Sequence, residues 1–347
     1  MHNSNRLIAG WLLSGCALVF LMVIIGGITR ITGSGLSITE WNIVTGTIPP
    51  LNQNSWIVAF EKYKVSPQFK LVNSGFGLSE FKQIFWWEYI HRLLGRLIGF
   101  VFLLPFLFFL FTKRLTASLL KKLLLLLALG ALQGFLGWFM VKSGLVDLPH
   151  VSHYRLAVHL VTAFLIFGFA FYLALGLLSP LPVQSINPLP VLPKVTRALL
   201  ILVILQIMYG ALVAGLHAGK VYTTFPKMGD RWVPREINAI QPFYRNLSEN
   251  LVTVQFIHRC LAWLIGIIIF SLCAIGVKQK ERFTQKQIKA LNLLFALFLF
   301  QFLLGVFTLL SAVSVPLAIL HQAGAFFLFA GILYFSHSQR LSSESIG

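Results

Sequence analysis

Eight stretches of about 20 or more mostly apolar residues run through this chain of 347, at roughly 7–29, 86–111, 119–141, 153–177, 196–217, 251–277, 287–311 and 317–336. A helix of about 20 residues crosses the ~30 Å hydrocarbon layer of a bilayer. The runs are continuously apolar, not alternating, which selects helices over a barrel. Hydrophobic residues make up 57% of the chain and charged residues only 11%, far from a soluble composition with about 25% charged. The expected fold class is all-α integral membrane, with eight transmembrane helices.

The net charge of +18 would suit a nucleic-acid binder, but the cations are scattered over loops and no soluble basic module carries them. Nucleic acid is therefore excluded as a partner, and the charge is read as a topology signal. The link after the second run carries Lys113, Arg114, Lys121 and Lys122. The link after the sixth carries Lys278, Lys280, Arg282, Lys286 and Lys289. The links on the other side are nearly uncharged. The N- and C-termini and the basic links are thus expected on the cytoplasmic side, with the long segments near 30–85 and 218–250 outside. Only "MHNSNR" precedes the first run, which is too long for a signal peptide and lacks a small-residue cleavage site. A bacterial cytoplasmic (inner) membrane is the simplest home. The three cysteines, Cys16, Cys260 and Cys273, all fall inside runs and read as packing residues.

The chain repeats itself. "EYIHRLLGRLIGF" (88–100) aligns with "QFIHRCLAWLIGI" (255–267), and "QGFLGWFMVKSG" (133–144) with "QFLLGVFTLLSA" (301–312). "LAVHLVTAF" (156–164) aligns with "AILHQAGAF" (318–326), and the exits "GGITRITGSG" (26–35) and "GALVAGLHAG" (210–219) also agree. Four spans per half make the repeats parallel. Each half is expected to be a four-helix bundle, 1–178 and 196–347, joined by a Pro-rich cytoplasmic linker at 179–195.

The repeat puts one histidine early in each of four spans: His91, His159, His258 and His321. All four spans begin at the outer face, so the imidazoles share one depth. A single such histidine needs no more than a hydrogen bond across helices. Four, paired by duplication, can serve as two axial ligand pairs for haem iron in two bundles. Gly95, Gly99, Gly137, Gly266 and Gly305 would leave room for a flat macrocycle. Closed zinc sites want four ligands, and each half offers two. Arg92 and Arg259 follow the paired histidines and could meet haem carboxylates through their planar forks, or reach the headgroups. Glu88 lies three residues before His91, on the same helix face, whereas its repeat counterpart is Gln255. A carboxylate there could exchange a proton or orient water, or simply pair with Arg92 at i+4. The difference favours a reacting half and an electron-carrying half. His150, His153 and His217 read as interfacial, His2 and His337 as terminal, and Trp41, Trp56, Trp86 and Trp87 as an outer aromatic belt. The outer segment near 50–84 is expected to form short amphipathic helices.

At these residues the chain resembles the haem A synthase family. The matching elements are "TRITGSGLS" (29–37), "EYIHR" (88–92), "HLVTAF" (159–164), "AGLHAGKVYTTFPKMGDRWVP" (214–234), "QFIHR" (255–259) and "LHQAGAF" (320–326). The long first outer loop looks like the proteobacterial and mitochondrial branch. The cysteine pair of another branch is replaced here by Ile38 and Val44, which argues against a thiol role. The resemblance implies oxidation of the C8 methyl of haem O to a formyl group, giving haem A for terminal oxidases. It implies successive hydroxylations and loss of water from a gem-diol. It places substrate haem between His91 and His159 and a haem b cofactor between His258 and His321, with Glu88 as the acid near the reacting methyl. The implied partners are haem O, supplied by haem O synthase, and an external electron donor; a second copy of the chain stays open. Rival readings are a di-haem electron-transfer cytochrome, a haem transporter, and a non-catalytic oxidase assembly partner.

Overall fold

The computed structural model describes residues 2–41, 45–144, 149–179 and 189–339. Val44 and the linker positions 180–188 lie outside the described residues. Eleven α-helices form among them: α1 (His2–Ile31), α2 (Gln53–Lys64), α3 (Pro67–Leu71), α4 (Leu78–Phe111), α5 (Ala117–Gly144), α6 (His153–Leu178), α7 (Leu192–Gly215), α8 (Asn246–Glu249), α9 (Leu251–Lys278), α10 (Gln285–Leu310) and α11 (Val315–His337). Eight of these are long and apolar enough to cross a membrane, and they fall on the eight apolar runs. The chain is an all-α, multi-pass membrane protein. Leu97, Phe100, Leu104 and Phe111 along α4, and Phe300, Leu303 and Phe307 along α10, are exposed, as a lipid solvent permits.

The helix starts follow local chemistry. Asn250 caps α9 by accepting from the N–H groups of Val252 and Thr253. Thr284 and Gln287 form a reciprocal capping box on α10. The α4 helix begins eight residues before its apolar run, because the Glu80 carboxylate accepts from the N–H of Gly77 at 3.0 Å and starts the helix there. This added stretch supports an arm made of α2 and α3. Asn52 caps α2 through the N–H of Ser55 at 2.9 Å. Trp56, Phe60 and Tyr63 then pack on Phe81, Phe85 and Tyr89, with Tyr63 stacked on Phe81 at 5.2 Å and Trp56 edge-on to Phe85 at 4.9 Å. Trp56 is therefore a core residue of the arm, not part of an aromatic belt; Trp41, Trp86 and Trp87 are exposed.

The structure divides into two compact units. One is Ala17–Ile166; the other joins Met1–Cys16 to Phe167–Gly347. These units part inside α1 and α6, not at the linker, and side-chain packing explains why. The Phe167 ring meets Phe326 at 4.8 Å, and the Cys16 thiol reaches the Phe167 carbonyl at 3.8 Å. Gly168 admits Phe329: a Cβ there would lie 2.8 Å from its ring. In the second unit α7 packs on α9 and α11, and α10 packs on α9 and α11, which closes a four-helix ring. The end of this ring farthest from its histidines is tied by side chains. Gln287 donates to the Ser338 carbonyl at 3.2 Å, and Gln339 donates to the Thr196 hydroxyl at 2.9 Å. His337, the terminal histidine, closes α11 as a buried residue 5.6 Å from the Tyr172 ring.

The arm hangs on one aromatic cluster. Phe81→Ala should destabilise it by about 3 kcal/mol or more. Hydrogen exchange should then accelerate over residues 53–71 while the protection of the spans stays unchanged.

Candidate functional site

Each of the four histidines packs its ring edge against a glycine of another helix. A Cβ at Gly26 of α1 would lie 2.9 Å from Cε1 of His91 on α4. The corresponding distance is 3.2 Å for Gly137 of α5 and His159 of α6, 3.3 Å for Gly210 of α7 and His258 of α9, and 2.8 Å for Gly305 of α10 and His321 of α11. These glycines set the rings by leaving room, since any side chain there would displace the imidazole. Gly137 and Gly305 were among the glycines singled out in the sequence. Gly26 and Gly210 were not, although the aligned span exits already place one over the other. Of the rest, Gly95 faces Met22, Gly266 faces Phe298, and Gly99 has open space.

His91 lies within electrostatic range of His159, and His258 within range of His321. The Nδ1 atoms of all four are buried and without a formed hydrogen bond. For His258 and His321 the main chain of Gln206 and Gln301 approaches the ring, short of good hydrogen-bond geometry. Those residues sit one turn before Gly210 and Gly305, where the missing Cβ leaves a helix carbonyl accessible. The Gln133 amide nitrogen lies 3.4 Å from Nε2 of His159, and that of Gln206 lies 3.2 Å from Nε2 of His258. No group of three or more His, Cys, Asp or Glu that could hold a metal ion occurs among the described residues.

Glu88 and Arg92 behave differently from free site groups. Glu88 is buried at 3% exposure. Its Oε2 accepts from the Ser37 hydroxyl at 2.7 Å and the Ile38 N–H at 2.8 Å, and its Oε1 accepts from Arg92 Nη2 at 2.6 Å. Arg92 also donates to the carbonyls of Ile38 and Glu40, both at 2.8 Å, and lies over the Trp41 ring. Residues 33–41 therefore form a strap fastened to α4. The arm holds the strap from its other side. Gln68 donates to the Gly33 carbonyl at 2.7 Å, Tyr63 donates to Gln68, and Asn73 donates to Tyr63. Burial pushes the Tyr63 phenol above its usual range, the Asn73 hydrogen bond draws it back, and the charge of Glu88 adds to the rise.

The second unit repeats the arrangement without the acid. Arg259 donates to the carbonyls of Tyr222, at 2.8 Å, and Thr224, at 2.8 Å. Gln255, buried at 3%, donates to the same Tyr222 carbonyl at 2.9 Å. Arg92 and Arg259, expected beside cofactor carboxylates, thus direct their terminal nitrogens to main-chain carbonyls. In each, the buried Nε remains without a partner. Of the secondary histidines, His150 is exposed, His153 lies 4.0 Å from the Tyr154 ring and tilted 39° to it, and His217 adopts a positive φ of 55° where α7 ends.

A family profile described as cytochrome oxidase assembly protein matches residues 9–333. Proteins named "Heme A synthase" from Nitrosomonas eutropha, Flavobacterium johnsoniae and Wolbachia pipientis wMel are 48%, 44% and 42% identical to this chain. The alignments cover 96%, 97% and 94% of this chain and 94%, 99% and 91% of those proteins.

The chain belongs to the haem A synthase family.

A haem A synthase must accommodate a planar iron macrocycle, and the residues present fit one. Two imidazoles per unit are held edge-on by glycine, and their buried Nδ1 atoms lack partners. An iron-ligating histidine presents one ring nitrogen to the metal and directs the other at a carbonyl. The main chain of Gln206 and Gln301 stands where that second contact would form.

Inside a helix, Gly→Ala ordinarily gains about 1 kcal/mol. At Gly137 and Gly305 the sign should reverse, because the added methyl meets a histidine ring. Thermal unfolding in detergent should show lower midpoints for Gly137→Ala and Gly305→Ala. Gly10→Ala and Gly130→Ala, where nothing lies within 4 Å of the new methyl, should show none of this loss.

Proposed function

We propose that this chain oxidises the C8 methyl of haem O to a formyl group, with substrate haem held by His91 and His159 and a haem b cofactor held by His258 and His321. The N-terminal four spans (1–178) form the reacting bundle and the C-terminal four (196–347) the electron-carrying one. The difference between Glu88 and Gln255 in two otherwise matched frameworks carries this reading. Both positions are buried, both sit three residues before a paired histidine, and both are bonded to the outer loop of their own half. Only the first can hold or pass a proton as a carboxylate. A histidine pair alone suits an electron carrier, whereas a pair with an acid suits a site where a C–H bond is broken and a proton must leave.

Bound between His258 and His321, haem b would supply one-electron redox chemistry. The chain's own residues do the rest. His91 and His159 fix the substrate iron and with it the position of the macrocycle. Glu88 is the acid–base group, held at Oε2 by Ser37 and Ile38 and at Oε1 by Arg92. The strap covers the carboxylate and limits water. The free Nε donors of Arg92 and Arg259 are the groups left to meet acidic edges of the two macrocycles. The protein lies in the bacterial inner membrane with both termini cytoplasmic, takes haem O from haem O synthase, and draws electrons from an external donor.

Pigments extracted from cells making haem O, with and without this protein, give the first test: haem A should appear only with it. Glu88→Ala should lower haem A formation by about 10²–10⁴-fold while the purified protein keeps its low-spin haem spectrum. His258→Ala or His321→Ala should remove that spectrum. Undiminished haem A formation by Glu88→Ala would remove Glu88 from the acid–base role, and absence of haem A with the wild-type protein would favour a di-haem electron carrier.

A further inference from the structure

Ser37 is 2% exposed, and its hydroxyl lies 2.7 Å from Glu88 Oε2, 51 residues along the chain. A weaker approach of the same hydroxyl to the Ile84 carbonyl, at 3.4 Å, competes poorly with it. The Ile38 N–H shares the same oxygen at 2.8 Å, so the two donors together fix the plane of the carboxyl group. The repeat gives an internal control. The alignment that sets Gly26 on Gly210 sets Ser37 on Val221 and Ile38 on Tyr222. The structure supports that register, because Arg92 donates to the Ile38 carbonyl and Arg259 to the Tyr222 carbonyl. In the second half the carboxylate is absent at Gln255, and the hydroxyl is absent at Val221. Fastening a loop therefore requires neither group, since Arg259 and Gln255 do it without them. The hydroxyl occurs only where the acid occurs.

We propose that Ser37 is a positioning residue that sets the orientation of the Glu88 carboxylate for proton handling, a function separate from holding the strap. It rests on the reading of Glu88 as the acid–base group. The strap is fastened by Arg92 through two carbonyls and by Gln68 through Gly33, so removing the Ser37 hydroxyl leaves it in place. Without that hydroxyl, Oε2 keeps a single donor and the carboxyl group gains rotational freedom.

The test uses the full-length, haem-loaded protein in lipid nanodiscs. The infrared carboxylate band of Glu88 is assigned by its loss in Glu88→Gln and then followed in Ser37→Ala and Ser37→Thr. Turnover of haem O is measured alongside. Loss of one hydrogen bond to a charged group predicts a fall in kcat of about 10- to 100-fold for Ser37→Ala. KM for haem O and haem content should stay unchanged, and the Glu88 band should shift. Ser37→Thr, which keeps the hydroxyl, should restore both band and kcat. An unshifted band in Ser37→Ala, or parallel loss of haem content and turnover in both variants, would overturn the proposal. Wild-type protein that makes no haem A would overturn the functional reading instead, and the band would still decide the role of Ser37.

Discussion

The approach of an imidazole to a helix that bears no side chain at the point of contact governs how this protein is built. Gly26, Gly137, Gly210 and Gly305 each receive the Cε1 edge of one histidine, and each glycine lies on a helix preceding that of its histidine. A helix interior normally disfavours glycine, because it gives up more backbone freedom than any other residue. Here that cost secures a fixed ring orientation, and at Gly210 and Gly305 it also leaves the main chain one turn back close to the ring. One local contact thus occurs four times, twice in each half.

On this shared plan the halves diverge in chemistry more than in geometry. Arg92 and Arg259 perform the same task, gripping the first long loop of their half through main-chain carbonyls. Beside them, one half carries Glu88 with a hydroxyl donor, and the other carries Gln255 with an apolar residue in the matching loop. The N-terminal half also carries an arm of two helices with its own aromatic core, and that arm reaches the strap through Tyr63 and Gln68. The two halves thus keep similar frames that differ in a few polar residues.

Much of this was readable in advance. The spans announce themselves because a bilayer demands long apolar runs, and no other common fold does. The paired histidines and the Glu88/Gln255 difference were visible because the repeat places like beside like. Three things were hidden for physical reasons. Ser37 sits in a Gly- and Ser-rich turn, where a hydroxyl is ordinary, and its partner is 51 residues away. The arginines could have met carboxylates, headgroups or carbonyls, since a guanidinium satisfies all three, and only the folded loop shows which carbonyls were within reach. Trp56 reads as a belt residue because it stands near the start of α2, where one turn of helix decides between surface and core. The compact units likewise follow the packing of Phe167 and Gly168 on α11, which no linker composition reports.

The ties between Gln287 and Ser338, and between Gln339 and Thr196, have a mechanical consequence. They fasten α7, α10 and α11 to one another at the end opposite the histidines, like the bound spine of a book. With one end held by side-chain amides, these three helices separate more readily at the other, so opening of the ring is expected to begin at the end that carries His258 and His321.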